Sequence, residues 1–254
     1  MRVLFLGTGT SHGVPMIGCD CAVCRSPDPC DRRARTSALL RFDGRQVLID
    51  APAELRMQAL AFGLRRVDAV LLTHAHADHV SGLDDLRTFN LWQRSAIPIY
   101  CSPETADTVQ RHFSYIWNGD AYPGKPNLEL RRVDGPFELF GRAVVPLTVP
   151  HGALTRVTAF RIGRLGYVTD ASAVPPEARA GLGGLDVLVL NALRHRPHPS
   201  HLSLDEAVAI VADLRPRRAF FTHIAHDLMH APVNAALPPH IRLAHDGLEI
   251  EVEE

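Results

Sequence analysis

Three histidines and one aspartate stand within six positions of the stretch HAHADH, which runs from His74 to His79. The apolar run AVLL comes just before it, so these residues follow a predicted buried strand. Imidazole and carboxylate groups are the usual ligands of zinc or manganese in hydrolytic sites. His74 and His76 point the same way in an extended loop, whereas Asp78 and His79 turn away as the chain bends. The spacing therefore predicts ligands for one metal ion and, beside it, for a second.

Three more candidate ligands follow other apolar runs. His151 comes after VVPLTVP, Asp170 after GYVT and His223 after AFFT. One polar residue at the end of a strand is commonplace, but the recurrence of this context predicts that the side chains converge on one rim of the sheets. Two ions about 3.5–4 Å apart can clamp the oxygens of a phosphoryl or acyl group and share a bridging hydroxide.

A second cluster contains three thiols, Cys19, Cys21 and Cys24, in the pattern CxCxxC. Thiolates with this spacing can bind a tetrahedral zinc ion if a fourth ligand is present. The polar stretch RSPDPCDRR follows the cluster, which argues against buried, unliganded thiols. The total of five cysteines is odd, which argues against a disulfide framework. The candidates for the fourth ligand are Cys30, His12 and His226.

Composition limits the classes of function. The 254 residues are 46% hydrophobic and 22% charged, which suffices for a large core. The formal net charge is −1, so the chain has no global basic field for nucleic acid. No apolar run approaches the roughly 20 residues that cross a bilayer, and the start MRVLFLGTGTSHG lacks the long apolar region of a signal peptide. We therefore predict a cytoplasmic protein without membrane contact, folded as a single domain over residues 1–254.

Apolar periodicity predicts two series of short strands with helices between them. The stretch SALLRFDGRQVLIDA predicts a hairpin that turns at Asp43-Gly44. The stretch SLDEAVAIVADLRP predicts a helix that begins with a capping box of Ser203 and Glu206. The chain end IRLAHDGLEIEVE predicts a closing hairpin around Asp246-Gly247, and residues 115–127 have no period and predict a loop. Two strand series favour a four-layer α/β fold, with two facing sheets covered by helices.

Five motifs together resemble the metallo-β-lactamase superfamily, whose signature is HxHxDH followed by a distant His, Asp and His. They are GTGTSHGVP, THAHADH, VPHG, VTDAS and FTHIAH, and they span nearly the whole chain. The resemblance implies an αβ/βα sandwich with a dinuclear metal site at the sheet edge. It implies one ion on His74, His76 and His151, the other on Asp78, His79 and His223, and Asp170 as the bridge.

Aspartates near these ligands have predicted supporting roles. Asp78 can also orient the bridging hydroxide by accepting a hydrogen bond from it. Asp50, which ends the run VLIDA, and either Asp84 or Asp85 are candidates to hold the ligand histidines in place. Helix capping or turn formation explains these last three residues equally well.

The cysteine motif narrows the resemblance. CxCxxC just after GTGTSHGVP, with THxxH near the end of the chain, is similar to the phosphoribosyl cyclic phosphate phosphodiesterases of the carbon–phosphorus lyase pathway. This similarity implies a phosphodiesterase for a small, cyclic phosphorylated substrate such as phosphoribosyl 1,2-cyclic phosphate, with two zinc or manganese ions and a bridging hydroxide. It implies that a structural zinc ion is held by Cys19, Cys21, Cys24 and His226.

A phosphodiester leaving group also needs a proton. The stretch RHRPHPSHLSLDEA offers His195, His198 and His201. In the resembling family a histidine at the place of His201 serves as general acid or substrate clamp, and nothing in the family pattern corresponds to the other two. His12, in the glycine-rich turn, is a weaker candidate to face the substrate.

Three other functions share the same core: an RNA-processing endonuclease, an acyl hydrolase such as a thioesterase or lactonase, and a non-catalytic carrier. The endonuclease usually needs a protruding basic arm, and the near-neutral chain shows no such insertion. Retention of all seven ligand types argues against the carrier, and CxCxxC with THxxH favours phosphodiesters over acyl substrates. We therefore predict a small phosphorylated molecule as the partner, with a homodimer left open by the aromatic middle section.

Overall fold

The computed structural model describes residues 1–119 and 124–253. The strands are β1 (Arg2–Gly7), β2 (Ser37–Phe42), β3 (Arg45–Ile49), β4 (Ala69–Leu71), β5 (Ile97–Cys101), β6 (Leu128–Arg132), β7 (Phe137–Leu139), β8 (Arg142–His151), β9 (Thr155–Ile162), β10 (Leu165–Val168), β11 (Val187–Asn191), β12 (Arg218–Thr222), β13 (Ile241–Leu243) and β14 (Glu249–Glu251). The helices are α1 (Leu55–Ala61), α2 (Ala77–Val80), α3 (Leu86–Gln93), α4 (Pro103–His112), α5 (Ser114–Trp117), α6 (Pro176–Gly181), α7 (Leu204–Leu214) and α8 (His230–Ala236), with 3₁₀ turns at Pro29–Asp31 and Leu83–Asp85.

The strands form two seven-stranded sheets, in the orders β14-β1-β2-β3-β4-β5-β6 and β13-β12-β11-β10-β9-β8-β7. Successive side chains of a strand point to opposite faces. In β1, Val3 and Phe5 accordingly pack in the layer between the sheets, where Phe5 meets Phe220 at a ring distance of 6.1 Å. Leu4 and Leu6 pack on the other face, in a cluster that includes residues of α1 and α3. The predicted four-layer α/β fold is confirmed.

Local signals placed two elements correctly. Asp43 and Gly44 both have positive φ values, 48° and 72°, as the tight turn between β2 and β3 requires. The Ser203 hydroxyl accepts from the Glu206 N–H, and the Glu206 carboxylate accepts from the Ser203 N–H, so the capping box of α7 is present. These sequence-based predictions are confirmed.

The predicted closing hairpin around Asp246-Gly247 is wrong. The strands on either side of this turn belong to different sheets, because β13 pairs with β12 and β14 pairs with β1. The Asp246 carboxylate accepts from the Thr8 N–H at 2.9 Å, the Thr8 hydroxyl at 2.8 Å and the Ala34 N–H at 2.7 Å. The turn therefore carries the chain from one sheet to the other and fastens the glycine-rich turn after β1.

The buried Asp246 predicts a pH-dependent stability. Burial raises the pKa of this carboxyl from 3.8 to about 6, and its hydrogen bonds only partly oppose the rise. Because the folded state then favours the protonated form, its contribution is complete below pH ~4 and is lost as the pH rises through ~6, about 3 kcal/mol in all. We expect Asp246→Asn to remove this dependence of stability on pH. Urea denaturation from pH 4 to 7 gives the free energy of unfolding of both proteins at each pH. If the two free energies change with pH in the same way, Asp246 is not the group that titrates.

The stretch predicted as a loop, residues 115–127, is partly helical. Helix α5 extends into it as far as Trp117, whose indole N–H donates to the Leu128 carbonyl at 2.9 Å. Residues 120–123 of this stretch lie outside the described residues. Within the described ranges, no helix combines the length and the apolar character that a membrane span needs.

Candidate metal centre

The predicted ligands lie at one edge of the sandwich, at the carboxyl ends of strands. His74 follows β4, His151 is the last residue of β8, Asp170 follows β10 and His223 follows β12. Strands β10, β11 and β12 are parallel, so their carboxyl ends open onto the same edge. This is the convergence that the repeated strand-end pattern predicts.

The seven candidate ligands form two groups, and within each group the ligand atoms all lie within 4.8 Å of one another. The first group is His74, His76 and His151, and the second is Asp78, His79, Asp170 and His223. The carboxylate of Asp170 is also within that distance of His151 and His201. It therefore stands between the groups, where a bridging ligand is needed. The groups coincide with the two ligand sets that the resemblance implies, while their roles as ligands stay predictions.

The backbone at this edge is held in an uncommon conformation. Asp50, Asp170 and His223 have φ values of 60°, 56° and 55°. The left-handed region costs a residue other than glycine of order 1–3 kcal/mol, and such residues cluster at functional sites. The hydrogen bonds around these three residues must therefore compensate for that cost.

Asp50 supports candidate ligands of both groups. Its fully buried carboxylate accepts from His79 Nδ1 at 2.7 Å and from the Thr73 hydroxyl at 2.8 Å. Because the Thr73 hydroxyl donates to Asp50, it accepts from His74 Nδ1, which lies 3.0 Å away. Both rings thus present Nε2, and these two buried Nε2 atoms have no hydrogen-bond partner in the described structure. Such a donor set fits divalent metal ions.

Ring nitrogens of the other two buried histidines are also hydrogen-bonded. His151 Nδ1 donates to the Ser200 carbonyl at 2.8 Å. The ring nitrogens of His223 lie 3.1 Å from the Thr10 hydroxyl and 3.3 Å from the Thr36 hydroxyl. Sequence reasoning missed these threonines, because a threonine carries no metal-ligand signal of its own.

The electrostatics favour the metal-binding forms. Burial raises the pKa of the Asp170 carboxyl, but the neighbouring His223 and His79 outweigh burial and hold it well below its ordinary value. Burial and the charge of His79 lower the pKa of His74 well below its ordinary value. His79 differs, because Asp170 and Asp50 outweigh burial and raise its pKa. A metal ion must therefore displace a proton from His79.

The links from Asp50 lead to a prediction. We expect Asp50→Asn to weaken metal binding at the edge by about 10- to 100-fold, because an amide cannot accept from His79, Thr73 N–H and the Thr73 hydroxyl together. Competition with a chromogenic chelator measures this affinity. Asp84→Asn is the matched control. Equal metal affinity of the Asp50 variant and wild type would show that Asp50 does not hold the histidines.

Asp84 and Asp85, the other candidates for such support, lie elsewhere. Asp84 accepts from the Tyr115 hydroxyl at 2.7 Å and pairs with Arg87 at 3.0 Å. Asp85 lines an apolar groove together with Phe89. Of the three aspartates, Asp50 is the one that the structure places against ligand histidines.

The cysteine cluster assembles around His226. Its Nδ1 lies 3.2 Å from Cys19 Sγ, 3.6 Å from Cys21 Sγ and 3.4 Å from Cys24 Sγ. Bonds of about 2.3 Å to sulfur and 2.0 Å to nitrogen put tetrahedral ligands roughly 3.5 Å apart, so the four atoms fit one zinc ion. The ligating group thus contains neither of the other candidates, Cys30 and His12.

The surroundings of the thiols also fit a metal. The Cys24 N–H donates to Cys21 Sγ, and the Met16 N–H donates to Cys24 Sγ, both at 3.4 Å. Burial raises the pKa of the Cys24 thiol to about 11. Without a cation that thiol is neutral at pH 7, whereas a zinc ion would hold it as thiolate.

The structure places the other histidines that were candidates for the acid or for substrate contact in three different regions. His201 belongs to the edge, with its ring 4.7 Å from that of His151 and stacked on His223 at 4.8 Å. His12 and His198 line a pocket beside it. His195 is exposed and lines a different groove, next to α7 and α8.

Comparison with known proteins decides the family. A model of the β-lactamase superfamily domain matches residues 45–224. The crystal structure of a new diphosphatase from the PhnP family superposes with a TM-score of 0.93 and 44% identity, covering 99% of this chain and 98% of that one. The chain belongs to the metallo-β-lactamase superfamily and is PhnP-like. It is a metal-dependent hydrolase.

Two curated relatives extend the comparison. An octanoyltransferase of Porphyromonas gingivalis is 40% identical over 262 aligned positions, which cover 100% of this chain and 52% of that protein, so the chain spans about half the length of this relative. A ribonuclease Z of Mycolicibacterium gilvum is 32% identical over 186 aligned positions, which cover 66% of this chain and 63% of that protein. Relatives named for different activities therefore share the superfamily core. The substrate must be inferred from the residues of the site itself.

Proposed function

We propose that this PhnP-like hydrolase is a phosphodiesterase for a small cyclic phosphodiester, such as phosphoribosyl 1,2-cyclic phosphate. The observation that carries the proposal is the pair of ligand groups that meet at Asp170, with His201 beside them. Two zinc or manganese ions bound there would supply an activated water and neutralise charge on the phosphoryl oxygens. A third ion, a structural zinc, would be held by the cysteine cluster.

Asp78 is suited to orient the attacking water. Its side chain is 15% exposed, whereas that of Asp170 is 2% exposed, so Asp78 faces the solvent side of the edge. The neighbouring His79 and His223 outweigh burial and lower its pKa, so the carboxyl stays ionised and accepts hydrogen bonds. A carboxylate in this position fixes the direction from which water approaches the phosphorus.

His201 is suited to protonate the leaving oxygen. Its Nδ1 lies 3.8 Å from Asp170 Oδ1, and burial and the charge of His223 lower its pKa to about 3. The free protein therefore holds this ring neutral near pH 7. A bound phosphoryl group carries negative charge, which raises the pKa, so His201 would gain a proton as substrate binds and pass it to the leaving oxygen.

This role makes a prediction about leaving groups. We expect His201→Ala to lower kcat by about 100- to 1,000-fold on an alkyl phosphodiester, whose alkoxide needs a proton, and much less on bis(p-nitrophenyl) phosphate. Steady-state kinetics on both substrates measure the difference. His195→Ala, at an exposed histidine of the same loop, is the control. Equal losses on the two substrates would remove His201 as the acid.

Diphosphate linkages are the second candidate substrate, because the solved PhnP-family relative with 44% identity is a diphosphatase. The test is a comparison of kcat/KM for manganese- and zinc-loaded protein on phosphoribosyl 1,2-cyclic phosphate, a dinucleoside diphosphate, an acyl thioester and precursor tRNA. The proposal expects the cyclic diester to be turned over best. Preference for the diphosphate would show that a diphosphate linkage is the better substrate class. Preference for the thioester or for RNA would overturn the phosphodiesterase assignment.

We propose three further properties, which rest on the sequence. The chain is one domain, it is cytoplasmic, and it forms a homodimer, the mass of which sedimentation equilibrium measures. The small-molecule substrate rests on the near-neutral charge of the chain, −1 over 254 residues, which provides no general attraction for nucleic acid.

A further inference from the structure

Arg33 is a fully buried arginine to which the proposed chemistry assigns no role. It lies between the 3₁₀ turn Pro29–Asp31 and β2, and its side chain is 0% exposed. Burying a charge is costly unless the charge is paired and hydrogen-bonded. The partners of this guanidinium therefore indicate what the buried charge does for the protein.

The guanidinium holds the loop after β12 at two main-chain carbonyls. Its Nη1 donates to the Ala225 carbonyl at 3.3 Å and its Nη2 to the Leu228 carbonyl at 2.8 Å. These two residues stand on either side of His226, the histidine of the cysteine cluster. Because the guanidinium is planar and its donors have a fixed arrangement, the two bonds fix the separation of the two carbonyls. Arg33 therefore sets the course of the main chain at His226.

Asp31 fastens the same loop at a third point. Its Oδ1 accepts from Arg33 Nη2 at 3.0 Å and from the His230 N–H, at the start of α8, at 2.8 Å. The Asp31 side chain is 1% exposed, so salt weakens this ion pair little. One buried ion pair thus fixes three main-chain groups between residues 225 and 230.

The main chain of Arg33 is joined to the segment that carries the thiols. Its N–H donates to the Val14 carbonyl at 2.7 Å, and its carbonyl accepts from the Val14 N–H at 2.8 Å. Val14 and Val23 pack with Cys24 in one small apolar cluster. Arg33 therefore contacts both segments that supply the candidate zinc ligands, although these segments are about 200 residues apart.

The edge histidine of the same segment, His223, is held by other groups. The N–H of its neighbour Ile224 donates to the Thr8 carbonyl at 2.9 Å, and the Ile224 carbonyl accepts from the Thr10 N–H at 3.1 Å. These bonds join His223 to the glycine-rich turn after β1. A change in the side chain of Arg33 should therefore displace the cysteine cluster and leave the metal-binding edge in place.

We propose that Arg33, together with Asp31, is a positioning residue that sets His226 at ligand distance from the three thiols before the zinc ion binds. Holding a ligand in place in advance removes the free-energy cost of ordering it on binding, and this raises the metal affinity. The proposal rests on the structural zinc site proposed above and adds the residues that assemble it.

The test uses cobalt(II) in place of zinc, because cobalt bound to thiolates gives a charge-transfer absorption that the edge ligand groups, which contain no cysteine, do not give. Chelator titration of the cobalt-loaded protein then measures the affinity of the cysteine cluster alone. We expect Arg33→Lys to lower this affinity by about 10- to 100-fold, because an ammonium keeps the charge but lacks the planar fork that holds both carbonyls. Manganese binding at the edge, measured by electron paramagnetic resonance of the free ion, should stay within about threefold of wild type.

Two further variants make the test specific. Arg35→Lys is the matched control, because the half-buried Arg35 donates to Ser11 and Glu54 and its change should leave the cobalt affinity unaltered. Arg33→Met combined with Asp31→Asn leaves no unpaired buried charge, so it guards against misfolding of the lysine variant. We expect this double variant also to weaken cobalt binding by at least about tenfold.

Equal cobalt affinity of wild type and both Arg33 variants would overturn the positioning role and leave the zinc site. Equal losses at the cysteine cluster and at the manganese-binding edge would also overturn it, because Arg33 would then act on the fold as a whole. If cobalt gives no charge-transfer absorption in wild type, the structural zinc site falls and the role of Arg33 falls with it. None of these results depends on the substrate that the edge hydrolyses.

Discussion

Replacing Asp170 with Asn is expected to lower hydrolysis by about 1,000-fold or more and to reduce the metal content of the catalytic edge. Asp170 is the carboxylate that stands between the two ligand groups, and its side chain is 2% exposed. Asparagine has nearly the same size and tolerates the left-handed backbone at this position. The change therefore removes the charge and one acceptor oxygen while leaving the fold intact.

The physical reason for so large an effect is that one neutral amide cannot serve two cations. The carboxylate of Asp170 faces His79 Nε2 and His223 Nδ1 at 3.3 and 3.2 Å. An amide NH₂ at either oxygen position would repel a metal ion and the histidines that share it. Three measurements on one sample test this. Plasma mass spectrometry gives the metal content, steady-state kinetics give kcat/KM, and thermal melting shows whether the fold is intact.

The control for this variant is Asp134→Asn, at an exposed aspartate between β6 and β7. We expect the Asp170 variant to lose catalytic-site metal and activity but to keep the zinc of the cysteine cluster. Full activity with a full metal complement would contradict the bridging role.

The second large effect is expected from Cys21→Ala. Cys19, Cys21, Cys24 and His226 belong to segments about 200 residues apart, and the apolar cluster beneath them is small, with Val14 and Val23 as its other buried members. A metal ion would therefore join residues 19–24 to the loop after β12, which Arg33 also holds by donating to the Ala225 and Leu228 carbonyls. We expect the substitution to remove one zinc ion and to lower the free energy of unfolding by about 3 kcal/mol or more.

Activity should fall as well, because Met16 and His226 line the pocket beside His201. Zinc analysis and urea denaturation measure the primary effects. The control is Cys30→Ala, at a half-buried cysteine outside the ligating group, which should keep its zinc. If Cys21→Ala retains both zinc and stability, the cluster is not a structural zinc site.

The sequence predicted the convergence of the candidate ligands on one edge, because the evidence for it is local and repeated. Ligand types at the ends of apolar runs, such as His151 and His223, must meet if their strands run parallel in one sheet. The sequence also left three aspartates open as supports for the ligands. Burial beside His79 distinguishes Asp50, and burial depends on contacts between distant segments that no single motif shows.

Strand pairing near the end of the chain could not be predicted in the same way. Asp246-Gly247 is a strong turn signal, yet a turn signal says nothing about which strands pair on either side of it. The structure uses Asp246 to fasten Thr8 and Ala34, while β14 joins β1. The positive φ of Asp170 is likewise imposed by the assembled edge and has no sequence signature.

The central claim is that the metal-loaded edge hydrolyses a phosphodiester. Phosphorus NMR of phosphoribosyl 1,2-cyclic phosphate in oxygen-18 water, with manganese first loaded and then removed, tests it most directly. We expect the cyclic diester signal to disappear and a monoester signal with an oxygen-18 shift to replace it. We expect neither change with chelated protein or with Asp170→Asn. An unchanged spectrum from protein with a full catalytic metal complement would contradict the account.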